Sequence, residues 1–281
     1  MTDELIELGD VSLVCVETRR IRLAVFALQQ CLRKARFKEC LLLSPHAPAL
    51  PQGIRHVPIA DITSVAAYSD FIIRDLARHF TGGHVLIAQW DGFILDADCW
   101  DPRFLDNDYI GAPWPDAART VGNGGFSLRS RRLWDALGDI DPVTTHPEDA
   151  CICIDQRSPL EARGIRFAPT ALAETFAWEA PEPLLPTFGF HGFFNFHRVM
   201  PEPALIDYLR MCDDGILFSV PARRLLKGCY RSGMHDAARE ISRRRMSGPW
   251  PMKLDVIKLK LFARCRSLLQ LRSRVKQLSP P

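Results

Sequence analysis

The 281-residue sequence contains no run of 18 apolar residues, and therefore no segment that predicts a transmembrane helix. Its start, MTDELIELGD, is acidic and lacks the basic and apolar segments of a secretory signal. Hydrophobic residues make up 47% of the chain and charged residues 25%, which excludes a disordered or collagen-like protein. We expect one large globular domain with an appendage.

Signatures of several common sites are also missing. The nine cysteines form no CxxC motif, and the spacing of Cys151 and Cys153 does not suit a paired zinc knuckle. No GxSxG or HExxH motif occurs, so the signatures of serine hydrolases and zincins are absent. The expected state of the cysteines is that of free, buried thiols in a reducing cytoplasm.

Up to residue 91, the hydrophobic pattern alternates between strands and helices. It predicts strands at 11–16, 39–43, 54–59 and 84–89, and helices at 21–35 and from Asp61 to His79. This order is typical of a mostly parallel sheet with helices on its faces. Ligands of such sheets bind at the carboxyl ends of the strands, which directs attention to residues 17–19 and 89–91.

The second half of the chain has a different texture. It predicts a strand at 126–128, helices from Ser130 to Leu137 and from Pro147 to Gln156, a strand at 165–168 and a helix from Thr170 to Phe176.

Two segments near the predicted strands carry side chains that suit ligand binding. In QWDGFILD (89–96), Asp91 is either a ligand for Mg²⁺ or Mn²⁺ or a cap for the following turn. In VGNGGFSLR (121–129), the paired glycines either let a ligand approach the backbone, with Asn123 as a donor, or form an ordinary turn. The second segment is neither GxGxxG nor a P-loop.

Two further segments lie downstream. HPED (146–149) begins a predicted helix, and its acids either cap that helix or supply a general base for a hydroxyl nucleophile. FGFHG (188–192) places His191 among glycines and aromatic residues. This histidine is either a metal ligand, a contact for a diphosphate, or a hydrogen-bonded core residue.

The order of these segments resembles that of the GT-A glycosyltransferases, in particular the inverting β-1,4-galactosyltransferases. QWDGFILD, DYIGAPW (108–114), GNGGFSLRS (122–130), the Glu148–Asp149 pair and FGFHG also resemble, in order, the motifs of bacterial domain-of-unknown-function family 5672. Its members are usually described as glycosyltransferases by inference. The resemblance implies an α/β, GT-A-like fold, namely a Rossmann-type, mostly parallel sheet flanked by helices. It places a nucleotide-binding half at about 8–91 and an acceptor and catalytic half at about 92–220.

The resemblance also implies roles for individual residues. The donor, expected to be a UDP-sugar, would contact Thr18, Arg19, Gln89, Asp91, Asn123, Gly124 and Gly125. Asp91 and His191 would bind Mn²⁺ or Mg²⁺, and Asp149, or alternatively Glu148, would deprotonate an acceptor hydroxyl. The acid pair favours inversion at the sugar. The acceptor would be a glycan or a lipid-linked molecule in bacterial surface polysaccharide or glycolipid synthesis.

One departure from the GT-A pattern supports a different class of function. Gln89 stands where a DxD motif has its first aspartate, and a single carboxylate lowers the expected metal affinity. The alternative is a non-catalytic, GT-A-like sugar-binding or scaffolding protein.

Positive charge is concentrated near the C-terminus. Residues 222–281 contain 16 Lys and Arg but 3 Asp and Glu, whereas the whole chain carries a net charge of +3. The pattern predicts two short helices at 222–246, joined near Gly233, and a longer one at 253–278. We expect this basic helical extension, 221–281, either to pack its apolar stripe on the body or to contact an anionic membrane at its inner face. No interleaved aromatic residues or motif suggest nucleic acid.

Overall fold

The computed structural model describes residues 5–115, 121–180, 183 and 185–263. The chain divides into two compact units, Met1–Gly192 and Phe193–Pro281. The basic extension predicted from residue 221 therefore begins inside the second unit. The boundary between the two units, at residue 192, and the start of the basic segment are different positions. In the described residues, no helix is both long and apolar enough to cross a membrane.

The first unit is an α/β structure. Its strands within the described residues are Ile6–Val16 (β1), Ala35–Ser44 (β2), Arg55–Pro58 (β3), His84–Ala88 (β4), Gly92–Ile94 (β5), Tyr109–Gly111 (β6), Phe126–Ser130 (β7), Ala177–Trp178 (β8) and Gly189–His191 (β9). Its α-helices, over the same residues, are Ile21–Leu32 (α1), Val65–Arg74 (α2), Arg131–Ile140 (α3), Glu148–Ala150 (α4), Arg157–Ala162 (α5) and Thr170–Phe176 (α6). A π-helical segment, Cys151–Asp155, joins α4 to α5.

The larger sheet confirms the predicted fold class. Its order is β3-β2-β1-β4-β7-β6, in which β1, β2, β3 and β4 are parallel and β7 runs antiparallel to both of its neighbours, β4 and β6. A smaller sheet has the order β5-β9-β8. The chain runs outwards from β1 to β3 and then returns to the other side of β1 with β4. The sheet therefore has a switch point between β1 and β4, where α/β sheets bind ligands.

Several predicted elements differ from the structure. The strand predicted at 11–16 starts at Ile6, the helix predicted at 21–35 ends at Leu32, and the strand predicted at 39–43 starts at Ala35. The helix expected to start at Asp61 starts at Val65, because the Ser64 hydroxyl accepts a hydrogen bond from the Ala67 N–H at 3.0 Å and caps it. It also ends at Arg74, and a 3-10 turn follows at Leu76–Arg78. The strand expected at 165–168 is wrong: its only sheet-like pairing among the described residues is one bridge between Phe167 and Tyr109.

A cluster of aromatic rings forms the core beside the smaller sheet. Phe104, Phe126, Phe176 and Phe188 are fully buried, with ring centroids 5.1–6.2 Å apart. Gly189 lies against the Phe126 ring, and a Cβ on this glycine would fall 2.2 Å from it. The small residue thus brings β9 onto the aromatic core and fixes the position of His191 at the end of that strand.

The second unit is helical over its described residues. Its helices are Phe196–Val199 (α7), Glu202–Met211 (α8), Asp214–Leu217 (α9), Val220–Ser232 (α10), His235–Arg245 (α11) and a last helix that is described from 250 to 263 (α12). The two predicted short helices are confirmed: α10 ends at Ser232, and Gly233 follows it with a φ of 75°, in the left-handed region that favours glycine. The rest of the long predicted helix lies outside the described residues.

Candidate active site

An open cleft of about 250 Å³ lies at the switch point of the larger sheet. Residues after β1, residues after β4 and the start of α2 line it: Val16, Glu17, Thr18, Arg19, Arg20, Ile62, Thr63, Ser64, Val65, Tyr68, Gln89 and Trp90. Three of these, Thr18, Arg19 and Gln89, are among the residues that the sequence predicts to bind a donor. The cleft is therefore where the strand-end rule places a ligand.

The segment after β1 is held in place by its own hydrogen bonds. The Glu17 carboxylate accepts from the backbone N–H groups of Arg19 and Arg20 at 2.8 and 3.0 Å. Thr18 Oγ1 donates to the Ile62 carbonyl at 3.1 Å, and Arg19 Nη2 donates to the Thr63 carbonyl at 2.8 Å. The bonds of Thr18 and Arg19 link the wall after β1 to the wall at the start of α2.

The opposite wall follows β4. Gln89 donates from its side-chain amide to the Tyr68 hydroxyl at 3.0 Å, and its backbone N–H donates to the Gly125 carbonyl at 2.8 Å. The Arg20 guanidinium carbon lies 5.1 Å from the centroid of the Trp90 ring, in a cation–π contact. Gln89 thus joins the cleft to the glycine segment that precedes β7.

Next to Gln89, the structure brings Asp91 and His191 together. His191 Nε2 lies 3.2 Å from Asp91 Oδ1, and His191 Nδ1 lies 3.4 Å from Glu179 Oε1. Burial alone would lower the pKa of His191, but the two carboxylates outweigh it and raise this pKa to about 10. Asn123 completes the group, since its amide donates to Glu179 Oε2 at 2.9 Å.

The glycine segment before β7 lies against two acidic or basic side chains, His191 and Glu148. A Cβ on Gly125 would lie 2.2 Å from His191 Nε2, and a Cβ on Gly124 would lie 2.1 Å from Glu148 Oε1. The Trp114 ring occupies the equivalent space beside Gly122 at 2.2 Å. DYIGAPW and GNGGFSLRS are therefore neighbours in space as well as in order.

The two acids of HPED have different surroundings. Glu148 is buried and forms an ion pair of 2.9 Å with Arg129 Nη2, whose side chain is fully buried. The Arg129 guanidinium also stacks over Tyr109 at 4.9 Å and donates through Nε to Ser127. Glu148 therefore already has a buried, charged partner.

Asp149 is only half-buried. Its Oδ2 accepts from the Gly124 N–H at 3.3 Å, and its Oδ1 accepts from the Ala150 N–H at 2.8 Å. No side-chain cation contacts it among the hydrogen bonds and ion pairs of the described residues. Of the two predicted bases, Asp149 is the one with a carboxylate close to the glycine segment and still partly open to a substrate.

Several residues of this site carry no signal in the sequence. Glu179 stands in the segment AWEA and joins the site only because β8 lies beside β9. Thr63 and Ser64 precede α2 and Tyr68 lies in its first turn, whereas the sequence predicts a helix that starts four residues earlier, at Asp61. Proximity of these groups depends on strand pairing between distant segments, which no local pattern reveals.

Asp91 and His191 fit a metal site with two protein ligands in which the ion replaces the proton on His191 Nε2, because a histidine binds metal through its neutral ring. Neighbouring ligands of an octahedral ion at about 2.1 Å are separated by about 3 Å, close to the distance between Asp91 Oδ1 and His191 Nε2. Glu179, beside the other ring nitrogen, is placed to orient the imidazole. Within the part of the chain that the structure describes, no group of three His, Cys, Asp or Glu side chains could hold an ion. Among the described residues, the remaining positions around such an ion are left to substrate or water.

The comparisons with solved structures return glycosyltransferases at low similarity. The glycosyltransferase GlyE of Streptococcus pneumoniae is 14% identical over 54% of this chain, with a TM-score of 0.36, and this chain spans only 42% of its length. The mannosyltransferase PcManGT of Pyrobaculum calidifontis, solved with GDP-Man and Mn²⁺, is 12% identical over 94% of this chain and 83% of its own, with a TM-score of 0.38.

A third structure is that of glucosyl-3-phosphoglycerate synthase from Mycobacterium tuberculosis, which contains Mn²⁺ and UDP. It is 11% identical over 44% of this chain and 57% of its own, with a TM-score of 0.30. No curated protein matches the chain. Residues 53–191 match a family model described as protein of unknown function (DUF5672), and they contain the glycine segment, both acids and His191. This segment of the chain therefore belongs to the DUF5672 family.

Proposed function

We propose that the protein is a GT-A-like glycosyltransferase that moves a sugar from a nucleoside-diphosphate sugar to a hydroxyl acceptor. One observation carries the proposal: hydrogen bonds connect the cleft to the candidate base. Gln89 lines the cleft and donates to Gly125, and the adjacent Gly124 donates to Asp149. A donor in the cleft and an acceptor beside Asp149 would thus share one site.

The residues around the cleft suit the donor. Arg19 and Arg20 supply positive charge for a nucleotide or its diphosphate, and Trp90 supplies an aromatic face. Thr18 and Arg19 keep the wall at the start of α2 in place through their bonds to Ile62 and Thr63. A divalent cation held by Asp91 and His191 would supply neutralisation of the charge that develops on the leaving diphosphate. We propose a UDP-sugar as the donor and Mn²⁺ or Mg²⁺ as the ion.

Asp149 is the proposed general base. It would take the proton of the acceptor hydroxyl while that oxygen attacks the anomeric carbon and the bond to the diphosphate oxygen breaks. Glu148 is assigned a supporting role, because its charge is already paired with Arg129. Direct attack assisted by a base corresponds to inversion at the sugar.

The test is the kinetics of Asp149→Asn. A positioned base contributes on the order of 10²–10⁴ in rate, so we expect kcat to fall by about that factor while the Kd of the donor changes less than about twofold. Asp155→Asn is the matched control, because this exposed acid lies six residues further along. Normal turnover by Asp149→Asn would show that the base is elsewhere.

The transferase proposal also includes an acceptor and a cellular compartment. We propose a glycan or lipid-linked acceptor, in bacterial surface polysaccharide or glycolipid synthesis, and a cytoplasmic site of action. The described cysteines support a reducing compartment: all eight are free, and seven of them are buried.

A non-catalytic sugar-binding or scaffolding protein is the second candidate. It is favoured by the small number of metal ligands, since Gln89 replaces an acid and bonds to Tyr68 instead. Slow hydrolysis of the donor separates the two candidates. A transferase releases the free nucleotide from its donor in the presence of Mn²⁺ without any acceptor, whereas a binding protein returns the donor intact.

A further inference from the structure

Helix α12 packs against the other helices of the second unit along one of its sides. Val256 is its buried apolar residue, at 3% exposure, and Asp255 forms two hydrogen bonds of 2.9 and 2.8 Å with Arg223 Nε on α10. At about 100° per residue, Met252, Leu259 and Ala263 lie on the same side as Val256, and all three are half-buried.

The opposite side of α12 carries an apolar stripe. Trp250, Leu254, Ile257 and Leu261 fall within an arc of about 60° on the helix surface. They are 66%, 38%, 43% and 56% exposed. Leu254, Ile257 and Leu261 belong to the apolar stripe that the sequence predicts to pack on the body or to contact a membrane. In the described part of this stripe, these side chains are exposed and do not pack on the body. Phe262, 62% exposed, lies further round the helix, beyond Lys258.

Positive charge borders the stripe on both sides. On the same helical projection, Lys258 lies next to it on one side, and Lys253 and Lys260 lie on the other. The single acid of the described helix, Asp255, points towards Arg223 and away from this surface. An apolar stripe with an indole at one end and lysines along both edges is typical of helices that lie in a lipid interface. In such helices the apolar side chains reach the acyl chains, and the indole and the lysines lie at the level of the head groups.

We propose that this face of α12 docks on the surface of an anionic lipid bilayer. Trp250, Leu254, Ile257 and Leu261 enter the boundary between head groups and acyl chains, and the three lysines contact lipid phosphates. A second copy of the chain fits less well, because pairing two stripes would bring rows of lysines together. Nucleic acid fits less well too, because phosphate contacts would leave the apolar stripe in water. The proposal is independent of the transferase activity.

The test measures co-sedimentation of the full chain with vesicles, and it needs no substrate. We expect binding to vesicles of phosphatidylglycerol and phosphatidylcholine and at least tenfold weaker binding to phosphatidylcholine alone. Ile257→Ser with Leu261→Ser should reduce the partition coefficient at least tenfold. Lys253→Gln, Lys258→Gln and Lys260→Gln together should reduce it about 100-fold at low salt.

Matched controls lie in the first unit. Val143→Ser alters a residue that is 98% exposed, and the triple change of Arg22, Arg33 and Arg36 to Gln removes the same charge from exposed positions. Both should bind vesicles like the native chain. Absence of binding by the native chain would overturn the proposal, as would an equal loss in the controls. A dimer that the Ile257 and Leu261 changes abolish, without vesicle binding, would assign the stripe to a second copy instead.

Discussion

At the residue scale, the glycines before β7 are explained by their neighbours in the folded chain. The sequence leaves two interpretations of the paired glycines, an approach of a ligand to the backbone or an ordinary turn. In the structure, the space beside Gly125 holds the imidazole of His191, and the space beside Gly124 holds the Glu148 carboxylate. The absence of two Cβ atoms therefore lets the predicted metal ligand and the buried ion pair pack against the same short segment.

Gly125→Ala tests this explanation. The new Cβ would lie 2.2 Å from His191 Nε2, so the ring must move, and overpacking of this kind costs about 1–3 kcal/mol in the free energy of unfolding. Urea denaturation measures the cost. Gly138→Ala is the control with the opposite sign: nothing lies within 4 Å of its Cβ position in α3, and alanine should stabilise that helix by about 0.5–1 kcal/mol. Equal effects from the two changes would contradict the packing argument.

Substitution of the two acids of HPED should have different effects on the free energy of unfolding, as well as on activity. Glu148→Ala leaves the fully buried Arg129 without its carboxylate, and we expect a loss of about 3–5 kcal/mol. Asp149→Ala removes only two hydrogen bonds from a half-buried side chain, so its loss should be about 1 kcal/mol. Denaturation of both variants in the absence of substrate measures the difference. A similar loss from both would mean that Asp149 also has a structural role.

At the element scale, local patterns predict that β1 to β4 exist, because β1, β2 and β4 each contain a short, buried apolar run. They miss the more polar starts of β1 and β2, which begin at Ile6 and Ala35. They also predict α6 and the break between α10 and α11. They do not reveal that β7 runs antiparallel to β4, since strand direction depends on how the distant segments pair. The same limit hides Glu179, which reaches His191 only through the pairing of β8 with β9.

One acid of β2 ties several elements together. The Glu39 carboxylate accepts from Ser12 on β1 at 2.9 Å, from the Thr81 N–H and hydroxyl at 2.6 and 2.8 Å, and from Arg55 on β3 at 2.7 Å. Burial opposes ionisation, but these donors outweigh it, and the pKa of Glu39 lies below its usual 4.5. Glu39 therefore binds its strands together mainly in the ionised form.

This bonding predicts a specific sensitivity to acid. Because the pKa of Glu39 is lower in the folded than in the unfolded chain, its contribution to stability is full above about pH 4.5 and is lost as the pH falls through the folded value. Glu39→Gln should reduce stability at pH 7 and make the curve of stability against pH flatter below pH 4.5. Glu7→Gln on β1, where the side chain is 70% exposed, should leave the curve unchanged. A native slope in Glu39→Gln would assign the acid sensitivity to other groups.

At the scale of the whole molecule, the two units have different properties. The cleft, both candidate bases and the Asp91–His191 pair lie in Met1–Gly192, whereas the basic helices lie in Phe193–Pro281. Ligands for the two units can therefore be tested separately. A small donor should act through the first unit, and its effect should be unchanged by the α12 variants that abolish vesicle binding.

Melting of the full chain with nucleoside-diphosphate sugars puts this separation to the test. A ligand at 100 times its Kd adds about 2.7 kcal/mol, which raises Tm by roughly 5–11 °C for a domain of about 200 residues. We expect such a rise with UDP-sugars and Mn²⁺, no rise with Mn²⁺ alone, and the same rise in Lys253→Gln, Lys258→Gln, Lys260→Gln. A rise that does not need the ion would keep the donor site but remove Asp91 and His191 as ligands. No rise with UDP-, GDP-, CMP- or dTDP-sugars would favour the non-catalytic candidate, because a transferase must first bind its donor.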